Sequence, residues 1–383
     1  MTYFEYQKKQ RFFAQIAGNS EKIGAQELQE IGANDIEIGY RGAYFNADQA
    51  TLYKINYTSR IITRVLAPID IFSCPNTDVL YDKAIQIPWE EFFGLDQTFA
   101  IYANINIKSS QIYHSKYASL KLKDAIVDRF RDRKGKRPNV DTNRPDVVFN
   151  LYIQNDEATI SLDTSGESLH KRGYRLDSGE APIQETVAAA ILRLSEWQGE
   201  NTIYDPMCGS GTLLCEALMK YCRIPAGYLR GNYGFKNLPD FDKDLWQKVK
   251  NSCDAKIRKL EPGLIKGSDI SSEMIKIARR NCARLPYGDS IILSVKPFQK
   301  IKSLQDMTIV VNPPFGVRMS KKELLKKLYT EFSKGLKAKA QKSKVLIYCG
   351  KPELLDYIWM REDWKRDMVN GGLEGKLVQY RVY

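Results

Sequence analysis

Hydrophobic and polar positions follow two different rhythms along this chain. Up to about residue 163, strand-like alternation dominates, with a few helical stretches between. Arg11 to Ile16 reads as a strand, and Ser20 to Ile31 as a helix capped by Asn19 or Ser20 and stopped by Gly32. Asp35 to Tyr40 and Gly42 to Asn46 form a hairpin pattern, and Asp48 to Leu66 has apolar residues at helical spacing. Ala67 to Asp78, with two prolines, reads as a connector, and Val79 to Phe93 as a helix broken near Pro88. Thr98 to Asn106 alternates with Phe99, Ile101, Ala103 and Ile105 on one face. Ser115 caps a helix to about Arg131 with Leu120, Ile126, Val127 and Phe130 as apolar positions. Asp146 to Ile153 and Glu157 to Asp163 are two strands joined by an Asn155-Asp156 turn.

After an ordered linker, Asp163 to Arg175, a helix starting at Ala181-Pro182 and ending at Leu194 opens a regular alternation of strand and helix. Strands are expected at Thr202 to Tyr204, Leu264 to Ser268, Ser290 to Val295, Met307 to Val311, Lys344 to Cys349 and Leu377 to Tyr383. Helices are expected at Gly211 to Lys220, Ser272 to Arg284 and Lys321 to Ala340, with another near Asp244 to Ile257 inside an insertion. This order predicts an α/β fold with a mostly parallel sheet covered on both faces.

The 383 residues suffice for two or three domains. Fifty-eight Lys and Arg against 46 Asp and Glu leave a net charge of +12, which favours a polyanionic partner. The basic residues cluster around one stretch: Lys116 and Lys121, then Arg129, Arg133, Lys134, Lys136 and Arg137, followed in the linker by Lys171 and Arg172. A solvated helix face gives the same pattern. A surface that grips phosphates is the functional reading. Seven scattered cysteines without a C-x-x-C pair point to reduced thiols in a cytoplasmic protein. Two histidines offer poor material for a metal site or a His-based triad, so no metal is expected. Met1 to Gln10 is polar, and no apolar run reaches membrane-spanning length.

Two turns carry candidate chemistry. Asp205-Pro206-Met207-Cys208-Gly209-Ser210-Gly211-Thr212 joins a strand to a helix, and its glycines permit close backbone approach. Leu214 stands where a dinucleotide fingerprint needs its third glycine, and no G-K-[ST] follows. An acid directly before the turn suits a cofactor that carries an amino group and no pyrophosphate, such as S-adenosyl-L-methionine. Asp269, ending the next strand, can accept hydrogen bonds from ribose hydroxyls or cap the following helix, and Ile270 can flank adenine. The second turn is Asn312-Pro313-Pro314-Phe315. Proline ends the strand, Asn312 offers an amide to a planar amine, and Phe315 offers a flat face.

Taken together, Asp205 to Thr212, Asp269 and Asn312 to Phe315 resemble the glycine-rich turn, ribose acid and N-P-P-[YF] motif of class I amino-group methyltransferases. Residues 98–163, with Leu169 to Arg175, resemble a THUMP module and its linker. The chain as a whole resembles the THUMP-domain RNA methyltransferases of the RlmL/YpsC type, close to the 23S rRNA guanine-N2 enzymes. The resemblance implies a ferredoxin-like α+β domain at 1–66, a THUMP domain at 67–164 and a Rossmann-like class I methyltransferase domain at 165–383, with 165–180 as linker. It implies S-adenosyl-L-methionine as cofactor, with Glu185 and Asn312 among its contacts, and 23S rRNA or a large-subunit precursor as partner. It further implies that Asn312 and Pro313 orient the amine while Phe315 stacks on the base, Pro314 completing the motif. Two departures stand out. Val295-Lys296-Pro297-Phe298 lacks the acid that many relatives place near the adenine, and Gln184 stands where relatives often carry Lys. The N-P-P-[YF] motif also occurs in adenine-N6 methyltransferases of DNA or RNA, and the THUMP-like half argues against DNA; a tRNA guanine-N2 methyltransferase is a second alternative, and a non-catalytic RNA-binding assembly protein is one of another class.

Overall fold

The computed structural model describes residues 4–106, 112, 114–177, 182–316 and 322–383. The N-terminal unit runs α1 (Glu5–Lys9), β1 (Arg11–Ile16), α2 (Glu21–Ile31), β2 (Asn34–Gly39), β3 (Gly42–Asn46), α3 (Gln49–Thr58) and β4 (Ile62–Ser73). A second set follows: α4 (Thr77–Ala84), β5 (Thr98–Ile105), α5 (Ser115–Lys134), β6 (Asn139–Val140), β7 (Val147–Gln154) and β8 (Glu157–Asp163). Among the described residues these strands form one eight-stranded sheet in the order β2-β3-β1-β4-β8-β7-β5-β6.

The expected helix over Asp48 to Leu66 is therefore shorter, and the expected connector over Ala67 to Asp78 is mostly strand. β4 is the long central strand, paired with β1 on one side and β8 on the other. Pro68 is tolerated there because the β4–β8 register shifts between Pro68 and Asp70, a bulge that relaxes the need for a ladder donor. The expected domain break at 66/67 falls inside this strand. Leu120, assigned to the apolar side of α5, is exposed; Ala118, Leu122 and Ala125 pack inward beside Ile126, Val127 and Phe130.

The C-terminal unit consists of α6 (Glu185–Leu194), β9 (Ile203–Asp205), α7 (Thr212–Tyr221), α8 (Lys243–Asp254), β10 (Ile265–Asp269) and α9 (Ser272–Cys282). It continues through β11 (Ile292–Val295), β12 (Thr308–Val311), α10 (Lys322–Lys339), β13 (Ser343–Cys349), β14 (Glu362–Asn370) and β15 (Leu373–Val382). Its sheet order is β11-β10-β9-β12-β13-β15-β14; the first five strands are parallel, and β15 runs antiparallel to both of its neighbours, β13 and β14. β9 and β12 lie side by side at the centre, where the strand order reverses, and the crevice between their carboxyl ends is the expected ligand position. The alternation missed β14 because this edge strand is mostly polar and solvent-facing. It turns into β15 through Gly371 and Gly372, both at positive φ. Ala181 and Lys321, expected to open α6 and α10, and Met1 to Tyr3 lie outside the described residues.

A polar cluster buried from water joins the two halves. Arg172, fully buried, places Nε 3.3 Å from Glu216 Oε1, and Tyr174 donates its hydroxyl to the same oxygen at 3.1 Å. Arg172 also donates to the Leu169 and Arg60 carbonyls, both at 2.5 Å. Arg60, just after α3, donates to the carbonyls of Glu216, Met219 and Ile224 at the end of α7. Glu27 on α2 in turn accepts from the Arg60 and Ile61 amides. Breaking a buried ion pair from one side leaves an uncompensated charge, so Glu216→Ala should lower stability by about 3–5 kcal/mol. Urea unfolding followed by circular dichroism measures this, and a loss below about 1 kcal/mol would show that the pair does not hold the halves together.

Candidate active site

The glycine-rich turn begins where β9 ends. Asp205 Oδ1 accepts from the Met207 amide at 3.0 Å, and the Cys208 amide donates to the Ser268 carbonyl at 2.9 Å. Gly209 and Gly211 have φ of +51° and +84°, conformations that β-carbons disfavour, and Gly211 is the N-cap of α7. At Gly211 a Cβ would come within 3.2 Å of Ala278 Cβ, so α7 and α9 approach closely only with glycine there. At Gly209 a Cβ would meet nothing within 4 Å, because this peptide faces open space.

Asp269 clamps the turn to β10. Its Oδ2 accepts from the Gly209 amide at 3.0 Å and its Oδ1 from the Ser271 amide at 2.9 Å. Ser271 itself caps α9 through Met274. Ser271, not Asp269, therefore caps the helix; the Asp269 carboxylate fixes both neighbours and keeps lone pairs that ribose hydroxyls can use.

These residues line a cavity of about 480 Å³, within the range of small-ligand sites. Asp205, Pro206, Met207, Cys208, Gly209, Ser210, Thr212, Asp269 and Ile270 reach it, as do Asn312, Pro313, Pro314 and Phe315. Two turns about a hundred residues apart in sequence thus share one chamber. Asn312 follows β12 directly, and its Oδ1 is buried without a hydrogen-bond partner. Lys351 donates to the Gly316 carbonyl at 3.2 Å, which anchors the end of this turn.

Several expectations are corrected. Glu185 does not line the cavity. It is buried behind the wall with its carboxylate 3.2 Å from Arg175 Nε. Arg175 also donates to the Ile183 carbonyl at 2.8 Å and to Thr212 Oγ1 at 3.0 Å, so it ties the segment before α6 to the glycine-rich turn. Gly211 stands behind the wall as well. The Phe315 ring is only 5% exposed and rests on Gly350, where a Cβ would lie 2.9 Å from its Cζ, so little of its face is open for stacking. Arg172 is consumed by Glu216 and cannot reach a nucleic acid. Arg129 is held by both oxygens of Glu90 and by the Ile85 and Gln86 carbonyls. Lys116, Arg133, Lys134, Lys136 and Arg137 are exposed, whereas Lys121 leans 3.6 Å from Asp78 and Lys171 pairs with Glu167.

Sequence reasoning did not place Met274 on α9, Gln299 or Leu328 on α10 in the cavity wall. None sits in a motif; only the packing of the helices against the strand ends brings them there.

A glycine turn without a P-loop lysine or a third dinucleotide glycine, two acids at successive strand ends and an amide-proline turn at the central crevice define a class I methyltransferase that uses S-adenosyl-L-methionine. The residues fit that cofactor: the open peptide at Gly209 admits it, and the acids suit its amino and hydroxyl groups. The model for the RMKL-like methyltransferase domain matches residues 172–379, that for the THUMP domain residues 74–163, and that for the RlmL ferredoxin-like domain residues 11–66. A protein of Synechocystis sp., provisionally named an RNA methyltransferase, is 36% identical over 97% of both chains. The ribosomal RNA large subunit methyltransferase K/L of Photobacterium profundum is 34% identical over 97% of this chain and 53% of its own, so the chain spans about half of that relative. A solved protein, SMU.472, provisionally named a methyltransferase and complexed with SAH, superposes with a TM-score of 0.85 at 26% identity, covering 97% and 98% of the two chains. The chain belongs to the RMKL-like methyltransferase family.

Burial pushes the Asp205 carboxyl up to about 8, and the nearby Asp269 charge adds to this against the Met207 amide, which lowers it. Between about pH 4 and 8 the folded chain therefore holds a proton that the unfolded chain has released. This contribution to stability is complete below about pH 4 and disappears as pH rises through about 8. Thermal melts from pH 5 to 9 should show wild-type stability falling more steeply than that of Asp205→Asn. Parallel slopes would place the carboxylate in a wetter setting than its 2% exposure implies.

Proposed function

We propose that this enzyme methylates an exocyclic base amine in RNA, guanine N2 of the large-subunit ribosomal RNA. The observation that carries the chemistry is the partnerless buried Oδ1 of Asn312 in the chamber that holds Asp205 and Asp269. A buried amide oxygen without a donor is costly, and an N–H donor from a substrate removes that cost.

When bound, the cofactor supplies an electrophilic methyl group on a sulfonium. The chain's own part is orientation. An arylamine is a poor nucleophile because its lone pair is delocalised into the ring. Asn312 Oδ1 and the Pro313 carbonyl accept its two N–H bonds and turn the lone pair out of the ring plane. The prolines hold these acceptors rigidly, and Lys351 steadies the turn through Gly316. The base must leave its helix to enter a chamber of this kind. Asp205, Asp269 and the Gly209 peptide fix the cofactor end, so the approach of the two reactants is set by the spacing of β9, β10 and β12.

RNA as substrate is supported by the match to the THUMP domain and by the exposed cations of α5 and the loop after it. The ribosomal large subunit is supported by the name of the K/L relative.

Asn312→Ala should lower methyl transfer at least a hundredfold and leave cofactor affinity near wild type. The assay offers methyl-labelled S-adenosylmethionine with deproteinised 23S rRNA, assembled large subunits, bulk tRNA and DNA from cells lacking this gene, followed by nucleoside chromatography. Label in N2-methylguanosine from rRNA is the expected result. Label in tRNA would change the substrate, and label in N6-methyladenine would change the base. Full turnover by the variant would remove Asn312 from the chemistry.

A further inference from the structure

One face of the eight-stranded sheet is covered by helices, and the other carries a set of aromatic rings paired with arginines. The register puts Phe13 opposite Tyr44 on β3 and opposite Leu66 on β4, and Gln15 opposite Arg64. This row points away from Phe12, Ala14 and Phe45, which are buried in the core. Tyr102 on β5 and Tyr152 on β7 belong to the same open face, since their neighbours Ile101 and Leu151 point into the core.

The rings lie close to cations. Arg11 sits 5.4 Å from the centre of the Tyr44 ring, Arg64 5.7 Å from Tyr102 and Arg41 6.0 Å from Tyr40. Phe13 and Tyr44 are 4.8 Å apart. Tyr40, Tyr44 and Tyr102 remain 83%, 39% and 44% exposed, which is unusual for rings that nothing in the fold needs to leave uncovered. Arg64 on β4 reaches the Tyr102 ring on β5 across β8 and β7, and Leu66, Ser161 and Asn150, which share this face between them, are buried. The sheet is curled enough to bring these rings around one concave surface.

This face leads to the active site. A Cβ on Gly18, just beyond β1, would lie 3.7 Å from Val369 on β14 and 3.8 Å from Arg41 Nε. The next residue, Asn370, accepts from the Gln184 amide at 2.9 Å, and Pro182 and Ile183 line the catalytic cavity.

We propose that the concave face of Phe13, Tyr40, Tyr44, Tyr102 and Tyr152, edged by Arg11, Arg41 and Arg64, is a stacking platform for a single-stranded segment of the RNA substrate beside the target base. The proposal rests on the reading of RNA as substrate and deepens it. Flat rings match the faces of unpaired bases irrespective of sequence, and guanidinium groups at their edges suit the phosphates between them. Arg11 donates weakly to Asn46 at 3.4 Å and can exchange Glu37, its solvent-exposed partner at 2.6 Å, for a phosphate, because such pairs contribute little. Arg64 uses Nη1 for Asp163 and the Gly166 carbonyl, which fixes the guanidinium beside Tyr102. A duplex does not offer its base faces, so the exposed cations of α5 are left to hold helical RNA.

The test titrates the full chain into a labelled RNA of mixed sequence, single-stranded or annealed to its complement, and reads fluorescence anisotropy. Tyr44→Ala and Tyr152→Ala should each weaken single-strand binding about 5- to 150-fold, with little change for the duplex. Tyr44→Phe, which keeps the ring, should bind close to wild type, and S-adenosylmethionine affinity by calorimetry should stay unchanged in all three. Wild-type affinity for single strands in both alanine variants would overturn the platform and assign the face to another occupant, such as a polypeptide. Equal losses for single strand and duplex would also overturn it. Both outcomes differ from failure of the parent reading, in which the wild type transfers no methyl group to any RNA.

Discussion

The buried pair between Arg172 and Glu216 is the constraint on which the arrangement of the whole chain depends. It joins the linker to α7, the helix that begins at the glycine-rich turn, and Arg60 extends it to the end of α3. Charges inside a protein are tolerated only when paired and hydrogen-bonded, so each of these groups demands its partners in place. The cofactor turn and the N-terminal sheet are thereby held in one frame, with the cluster spanning α7 from Glu216 at its middle to the carbonyls at its end.

The same helix shows how the two ends of the site are kept rigid. At its start, Thr212 receives Arg175, whose other contacts reach Ile183 and Glu185. At its end, Arg60 satisfies carbonyls that a helix terminus leaves without donors. A reaction that depends on orientation more than on acid–base strength needs this kind of scaffold, since small displacements of the reacting atoms cost much of the rate. Asp269 serves the same end locally by holding Gly209 and Ser271 with its two oxygens.

The active site lies at the carboxyl ends of β9, β10 and β12, where strand order reverses and two adjacent strands send their chains to opposite faces. The N-terminal sheet approaches this crevice through the tip of β14, by way of Gly18, Arg41 and Asn370. An edge hairpin added to the parallel sheet thus does more than extend it: it carries a contact between the N-terminal sheet and the rim of the cavity.

The sequence by itself determined the local elements with strong periodicity and the residues whose chemistry is tied to a turn. The positive-φ turn at Gly209 and Gly211 and the strand-end positions of Asp205, Asp269 and Asn312 were legible because glycines, strand-ending prolines and acids beside a turn leave marks in adjacent residues. β4 and β14 were not legible, one because a proline at a bulge imitates a connector, the other because a polar edge strand has no alternation to read. Only the tertiary structure decided the fate of charges and rings. Arg172 and Glu185, apparent ligands in sequence, found ion-pair partners in Glu216 and Arg175, and Phe315 packed against Gly350 with little of its ring exposed. A side chain's chemistry is written in the sequence, but its availability depends on which distant group reaches it first.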